Sequence, residues 1–362
     1  MAVTIRDVAR AAGVSTSTVS RTMSRPELVE AGTAERVTRV AEHLGYQPNR
    51  AARGLITGRT GNLGLILPDL TNPFFPAVVK GIQRRAQEAD YQVFVADTDE
   101  DPSVELGLVR SLSKQVDGII LCSPRMRSVE LQEAATLAPT VLVSRRAGSI
   151  PSVAIDNAEG MAQVIDHLAD LGHARIGFVG GPRSSWSNRE RLRGLRAASD
   201  LAAVTLVDIG NFAPTFDGGV DATSSTLLSG VTAVIAYNDL VALGLMHRLH
   251  DQGIDIPRDI SVVGIDNIHM AALTRPGLTS LAIPKEKAGR ASVDLLLHLL
   301  GVESTTTPVR EVAMELIVRH TTAAAPTSGP TPGPTPTTIT TPARTSTPRP
   351  SGRRHAAPRG ND

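Results

Sequence analysis

Cysteine is almost absent from this sequence. Cys122 is the only one in 362 residues, which excludes an intrachain disulfide framework. It follows the apolar run GIIL and reads as a buried structural thiol. Aromatic residues are scarce, at 3%. Long apolar runs are missing too: nothing approaches the roughly 18–20 consecutive apolar residues of a membrane span. The opening MAVTIRDVAR carries charges of both signs where a signal peptide would carry an apolar stretch. A cytoplasmic protein with no membrane partner is expected.

Catalytic constellations are also lacking. GFVGGP is glycine-rich after an apolar run but does not have the G-x-G-x-x-G spacing of a dinucleotide site, and no G-x-x-x-x-G-K-[ST] loop occurs. The histidines are scattered, without metal-ligand spacing around the single cysteine. His247 and His250 share a helix and are expected at its surface, and His173 in LGHARIGF reads as structural. No catalytic residue, no metal and no cofactor is expected.

Charge of one sign is missing overall, with a net of +1, but the balance hides a division. Residues 1–60 hold 9 arginines against 5 acids, and residues 321–362 hold 5 against 1, so each segment carries +4 and the stretch between them −7. A basic head on an acidic body is the electrostatic footprint of a nucleic-acid binder with a separate regulatory part.

What is present begins with TIRDVARAAGVSTSTVSRTM. Ile5, Val8, Ala9 and Ala12 lie at helical spacing. Thr4 stands where a hydroxyl can cap the helix, and Gly13 ends it. Ser15 is placed to cap a second helix, roughly Thr16–Met23, with Val19 and Met23 inward. A third helix carries Val37, Val40, Ala41 and Leu44 and stops at Gly45. Two helices around a tight glycine turn, closed by a third, form a helix-turn-helix unit over residues 1–46. The outward face of the second helix holds Thr16, Ser17, Thr18, Ser20 and Arg21. Arg21 is the base-reading candidate, because a guanidinium forks onto the two acceptors of guanine. Residues 47–60 contain QPNRAARGLITG. Asn49 can cap a short segment in which Ala52 and Leu55 are spaced by three, beside Arg50 and Arg53. That piece is too short to be a stable helix alone. It can fold when docked against a second copy and the minor groove, where an exposed leucine wedges between base steps.

TIRDVARAAGVSTSTVSRTM, then LGYQPNRAARGL, then TGNLGLILPDLTNPFF, resembles the LacI/GalR family of bacterial transcription repressors, and the match runs from about residue 3 to about 320. The resemblance implies a homodimer on pseudo-palindromic operator DNA, controlled by a small-molecule effector, with paired hinge segments in the minor groove. It places base contacts on Thr16, Ser17 and Arg21, the wedge on Leu55 and the hinge alanine on Ala52. Two departures stand out. Gly54 inside the hinge costs about 1 kcal/mol of helicity relative to Ala, and Glu30 stands where Ser or Asp would better cap the third helix.

From Asn62 short apolar runs alternate with amphipathic helical stretches: LGLILP, YQVFVAD, GIILCS, TVLVSR, SVAID, RIGFVGG, VTLVDIG, TAVIAY and ISVVGID. Alternating strand and helix means parallel sheets covered on both faces. The number of strands over residues 61–320 predicts two α/β subdomains. The resemblance implies the same periplasmic-binding-protein-like body, crossed three times by the chain, with the helix from about Lys285 to Leu300 returning to the first subdomain. Residues 321–362 are rich in Thr and Pro, lack apolar periodicity and read as a disordered tail. No leucine heptad follows residue 320, which favours a dimer over a tetramer.

Ligands of open α/β sheets bind at the carboxyl ends of strands. The polar and aromatic residues there are Asp69, Asn72, Phe74 and Phe75 after LGLILP, and Ser144, Arg145 and Arg146 after TVLV. Ser185, Trp186, Ser187, Arg189 and Arg191 follow GFVGGP. Asn238 and Asp239 follow VIAY, and Asp266 and Asn267 follow VVGI. Carboxylates, amides and a planar guanidinium suit vicinal hydroxyls, and aromatics cover the apolar face of a sugar ring. The effector residues are expected to be Phe74, Phe75, Ser144, Ser185, Ser187, Arg191, Asn238 and Asp266, with the Asp266–Arg191 pair foremost. Carried over from the resemblance, the set is Phe75, Ser187, Arg191, Asn238 and Asp266. Sugar-responsive members often carry an acid where Ser144 stands. Its loss beside Arg145 and Arg146 opens an alternative: a sugar-phosphate or purine-like ligand with corepressor logic. A soluble sugar-binding protein without a regulatory role is the reading from another class.

Overall fold

The computed structural model describes residues 3–24, 26–46, 58–302 and 309–326. The chain opens with α1 (Ile5–Ala12), α2 (Thr16–Ser24) and α3 (Ala31–Leu44). Their shared core is Val8, Ala9, Ala12, Val19, Val37 and Ala41, with Met23, Val40 and Leu44 half-buried around it. The apolar stripes of the sequence are therefore the buried faces. Gly13 turns the chain between α1 and α2 at φ 67°, a left-handed conformation that side chains disfavour. Ser15 Oγ accepts the Thr18 N–H at 3.1 Å and so caps α2.

The caps of the other two helices differ in detail from the expectation. Asp7 reaches back to α1's start, where its Oδ2 accepts both the Thr4 N–H (3.0 Å) and the Thr4 hydroxyl (2.7 Å). Glu30 is a working cap and no weakness: its two carboxylate oxygens accept Gly32 N–H at 3.0 Å and Thr33 N–H at 2.8 Å. Its longer side chain folds over Gly32, where the missing Cβ leaves room. The hinge residues Asn49, Arg50, Ala52 and Leu55, and Gly54 with them, lie outside the described residues.

Among the described residues the body holds two six-stranded sheets. In chain order, β1 (Asn62–Leu67), α4 (Phe74–Glu88), β2 (Gln92–Asp97), α5 (Pro102–Leu112) and β3 (Gly118–Cys122) are followed by α6 (Ser128–Leu137), β4 (Thr140–Val143) and β5 (Ser152–Ile155). Then come α7 (Asn157–Asp170), β6 (Arg175–Gly180), α8 (Trp186–Ala202), β7 (Thr205–Asn211), α9 (Phe216–Leu228), β8 (Ala233–Ala236), α10 (Asp239–Asp251) and β9 (Ser261–Asp266). β10 (Thr279–Ala282), α11 (Lys285–Leu299), β11 (Glu311–Val312) and β12 (Glu315–Ile317) complete it. The first sheet runs β11-β5-β4-β3-β1-β2 and the second β12-β10-β9-β8-β6-β7. All pairs are parallel except β10 with β12. Central strands such as β3 and β4 are buried along their whole length, as parallel strands covered on both faces must be.

The chain crosses between the sheets after β5, after β10 and between β11 and β12, and α11 packs on α4 and the first sheet. Two glycines permit that contact. A Cβ on Gly81 would lie 2.3 Å from the Glu286 carbonyl oxygen, and one on Gly289 would lie 2.4 Å from that of Val78.

Cys122 is buried on β3, and burial pushes its thiol up to about 12. His173 is structural: Nδ1 lies 2.8 Å from Thr232 Oγ1, and Nε2 lies 3.1 Å from both Ser261 Oγ and the Ala323 carbonyl. The expected tail begins too early in the sequence reading. Thr321 is fully buried; its hydroxyl donates to Val262 O (2.6 Å) and accepts the Thr279 N–H (2.8 Å). Ala325 N–H donates to Leu171 O at 2.8 Å. Residues 321–326 thus belong to the second subdomain, held by hydroxyl and backbone bonds that leave no hydrophobic pattern to read. Among the described residues, no helix is long and apolar enough to cross a membrane.

Candidate functional site

The carboxyl ends of the strands in both sheets face one cleft of about 440 Å³, counting space open to solvent. Phe74, Phe75, Ser144, Ser187, Arg191, Asn238 and Asp266 all line it. Ser185 does not: it is fully buried at the N-terminus of α8, where Oγ accepts the Asn188 N–H at 3.2 Å and lies 3.0 Å from the Tyr237 hydroxyl. Trp186, a candidate sugar-stacking ring by position, is also outside the lining.

Arg191 and Asp266 come together as expected. Arg191 Nη2 lies 3.6 Å from Asp266 Oδ1, and both side chains are buried. The guanidinium also donates to the Tyr237 carbonyl and sits 4.9 Å from the centre of the Tyr237 ring. Burial pushes the Asp266 carboxyl up to about 6, opposed by the charges of Arg191 and Lys285. Lys285 donates to the carbonyls of Asp266 and Asn267. Those two residues have φ of 109° and 48°, a strained stretch of backbone at the site. Asp239, next to the cleft, accepts the Ser280 hydroxyl (2.6 Å) and the Ile268 N–H (2.7 Å), and so fixes the loop after β9. Burial, then the Asp266 charge, pushes it up to about 7.

The remaining wall is polar and incompletely satisfied by protein. Asn238 accepts the Val241 N–H and donates to the Pro214 carbonyl, each at 2.9 Å. Ser187 donates to the Ser144 carbonyl at 3.3 Å, a bond that spans the subdomains. Ser144 Oγ, Asn157 Oδ1 and Arg191 Nε are buried and find no partner among the described residues. Each such atom costs about 1–3 kcal/mol unless something else bonds it, so the wall is built to take hydrogen bonds. Phe74 and Phe75 stand edge to face at 5.1 Å and supply the apolar side.

Arg145 and Arg146 do not enter the cleft. Arg145 Nη1 donates to the carbonyls of Pro124 (2.8 Å) and Met126 (2.7 Å), and Arg146 pairs with Glu311 at the surface. The cleft's other cation is Arg125, which with Glu100, Ser123, Asn157 and Tyr237 lines the wall without having been singled out in the sequence. Ser123, Arg125 and Asn157 follow β3 and β5, and Tyr237 ends the run VIAY, so the same strand-end rule reaches them when applied to every strand.

On α2, Thr16, Ser17 and Arg21 are exposed, and Thr18 and Ser20 are half-buried. Ser15 Oγ lies 2.7 Å from Ser17 Oγ and 2.9 Å from Thr18 Oγ1, so those two hydroxyls share the helix cap. Thr4 is exposed at the start of α1 and is held by Asp7. The face is small, hydroxylated and basic, as entry into a major groove requires.

The comparisons agree with both halves. Residues 4–49 match the family model for bacterial regulatory proteins of the lacI family, and residues 165–322 match that of a periplasmic binding protein-like domain. Catabolite control protein A of Priestia megaterium is 32% identical over 333 residues, which are 89% of this chain and all of that protein. The lac repressor dimer bound to operator and the anti-inducer ONPF superposes with a TM-score of 0.78 at 28% identity, over 90% of this chain and 100% of that one. The complex of transcriptional regulator CelR with cellobiose gives 0.65 at 30% identity, over 88% and 99%. A helix-turn-helix head, a two-sheet body with a polar cleft and relatives matched along their full length lead to one conclusion: the chain belongs to the lacI family of bacterial regulatory proteins, DNA-binding transcriptional repressors.

Proposed function

We propose that this repressor acts in the cytoplasm as a homodimer on a pseudo-palindromic operator, and that a neutral sugar bound in the cleft controls its affinity. The observation that carries the ligand class is the charge balance of the wall. Its charged residues are Glu100, Arg125, Arg191 and Asp266, two of each sign and each cation beside an anion. A phosphate or carboxylate would find no uncompensated cation there, whereas hydroxyls find donors and acceptors in alternation. With Arg145 and Arg146 engaged elsewhere, the argument for a sugar-phosphate or other anionic ligand loses its cations. The cellobiose bound by CelR supports the same class.

In this reading residues 1–46 are the DNA-binding head, 47–60 the hinge and 61–326 the effector-binding and dimerisation body. Arg21 reads base edges, with Thr16 and Ser17 beside it, and Leu55 wedges the central step. The effector favours one arrangement of the subdomains and so shifts the hinge. The coupling equals its differential affinity for the two states. The reading assigns no catalysis. It is tested by thermal unfolding of the full chain with neutral sugars, sugar phosphates, nucleosides and purines. A ligand at 100 times its Kd stabilises by about 2.7 kcal/mol, or roughly 5–10 °C at 2–4 °C per kcal/mol. A neutral-sugar shift that disappears in Asp266→Ala and Arg191→Ala is the expected result. A shift with phosphates or purines alone would overturn the ligand class.

A further inference from the structure

The first-subdomain wall of the cleft contains a charge pair that is more heavily built than a surface ion pair needs to be. Arg125 lies just beyond β3 and is 5% exposed. Its backbone N–H and that of Met126 donate to the two oxygens of buried Glu105, at 2.7 and 2.8 Å, which fixes the loop. Its guanidinium is held side-on by Glu100, with Nε to Oε2 at 2.6 Å and Nη2 to Oε1 at 2.8 Å, and Nη1 donates to the Ser123 carbonyl at 3.1 Å. Glu100 sits in a loop of unusual backbone: Asp99 and Glu100 have φ of 50° and 59°, and the Glu100 N–H donates to Pro68 O at 2.7 Å. Two successive non-glycine residues in the left-handed region are costly. What that backbone achieves is the placement of one carboxylate against one guanidinium in the ligand cleft.

A guanidinium has five N–H donors. Three are used by Glu100 and Ser123, so each terminal nitrogen keeps one N–H without an acceptor among the described residues. We propose that the Glu100–Arg125 pair sets the charge class of the effector: it accepts a hydroxyl that receives from Arg125 and donates to Glu100, and it rejects carboxylates and phosphates. A hydroxyl can serve both partners at once. An anion cannot, because the group drawn to the guanidinium must approach the Glu100 carboxylate and give up its own hydration. This rests on the cleft being the effector site and adds which residues select among sugars.

The test uses the full chain in three forms: wild type, Glu100→Gln and Arg125→Met. Calorimetry is run with D-ribose, D-glucose and cellobiose as neutral probes, D-glucuronate and glucose 6-phosphate as anionic probes, and D-glucosamine as the cationic probe. Glu100→Gln keeps the shape and uncovers the guanidinium; it should gain at least tenfold in affinity for an anionic probe, and the gain should shrink with added salt. Arg125→Met uncovers the carboxylate and should gain for D-glucosamine over D-glucose. If both variants keep operator binding and neither gain appears, the assignment is overturned; a wild type that prefers the anionic probes overturns it as well. If the wild type ignores every neutral sugar while the variants show their gains, the sugar reading of the site fails and the role of the pair stands.

Discussion

Asp266→Asn is expected to make the unliganded repressor more stable while abolishing its binding of effector. The Asp266 carboxyl is buried and pushed from the ordinary 3.8 to about 6, mainly by burial. The folded protein therefore holds this proton over a range in which the unfolded chain has lost it. As pH rises from about 4 to about 6, unfolding becomes more favourable, and above that range the penalty is constant. The difference from 3.8 to 6 corresponds to about 3 kcal/mol. Asparagine stands in for the protonated acid and carries no such penalty. Its advantage over wild type should be near zero at about pH 4 and grow to roughly 2–3 kcal/mol at about pH 7. Loss of the Asp266 charge also eases ionisation of Asp239, which has the same sign. Urea unfolding of the full chain at a series of pH values measures this, and calorimetry with the effector should show lost binding. A stability difference that does not change with pH, or one that favours wild type at neutral pH, would refute the reasoning.

Other outcomes follow from the same geometry. Arg21→Ala should relax operator choice by about 1–3 kcal/mol at one base pair in each half-site and leave non-specific binding nearly unchanged, as read by gel shift on operator and scrambled DNA. His173→Ala should destabilise the body by about 2–4 kcal/mol, since it strips partners from Thr232, Ser261 and Ala323. Burial holds the His173 imidazole below its ordinary 6.5, so wild-type stability should fall as pH drops below that value, and less so in the variant. Gly81→Ala should cost about 1–3 kcal/mol or more through its clash with the Glu286 backbone, visible as a lower melting temperature.

The head was legible because each of its helices buries one narrow stripe, and α1 and α3 end at glycines, Gly13 and Gly45, whose left-handed backbone the sequence can signal. The strand-end rule located the cleft because parallel topology forces those ends together. It failed at Ser185, whose hydroxyl is consumed capping α8. Tyr237 was hidden because it closes an apolar run and looks like strand. Arg125 stands three residues past β3, within reach of the rule had it been applied to that strand; Glu100 escaped because two left-handed residues aim it, and no periodicity records that. α6 was invisible for a simpler reason: Val129 is 64% and Leu137 40% exposed, so its apolar residues mark no single face. β10, β11 and β12 are two to four residues long, too short for a pattern.

The triple crossing also shapes how the protein is made. The edge strand β11 and the helix α11 complete the first sheet, yet they are synthesised after the whole second sheet up to β10. A nascent chain ending before Lys285 carries a first subdomain with α4 uncovered along Gly81 and with β5 as a bare edge. Loop closure over such separations is slow, and an open edge with an apolar helix face invites association with other chains. The segment after residue 284 therefore acts as a late clasp on the body's first-made half, and a stop codon between β5 and Lys285 should yield aggregate and no free effector-binding fragment.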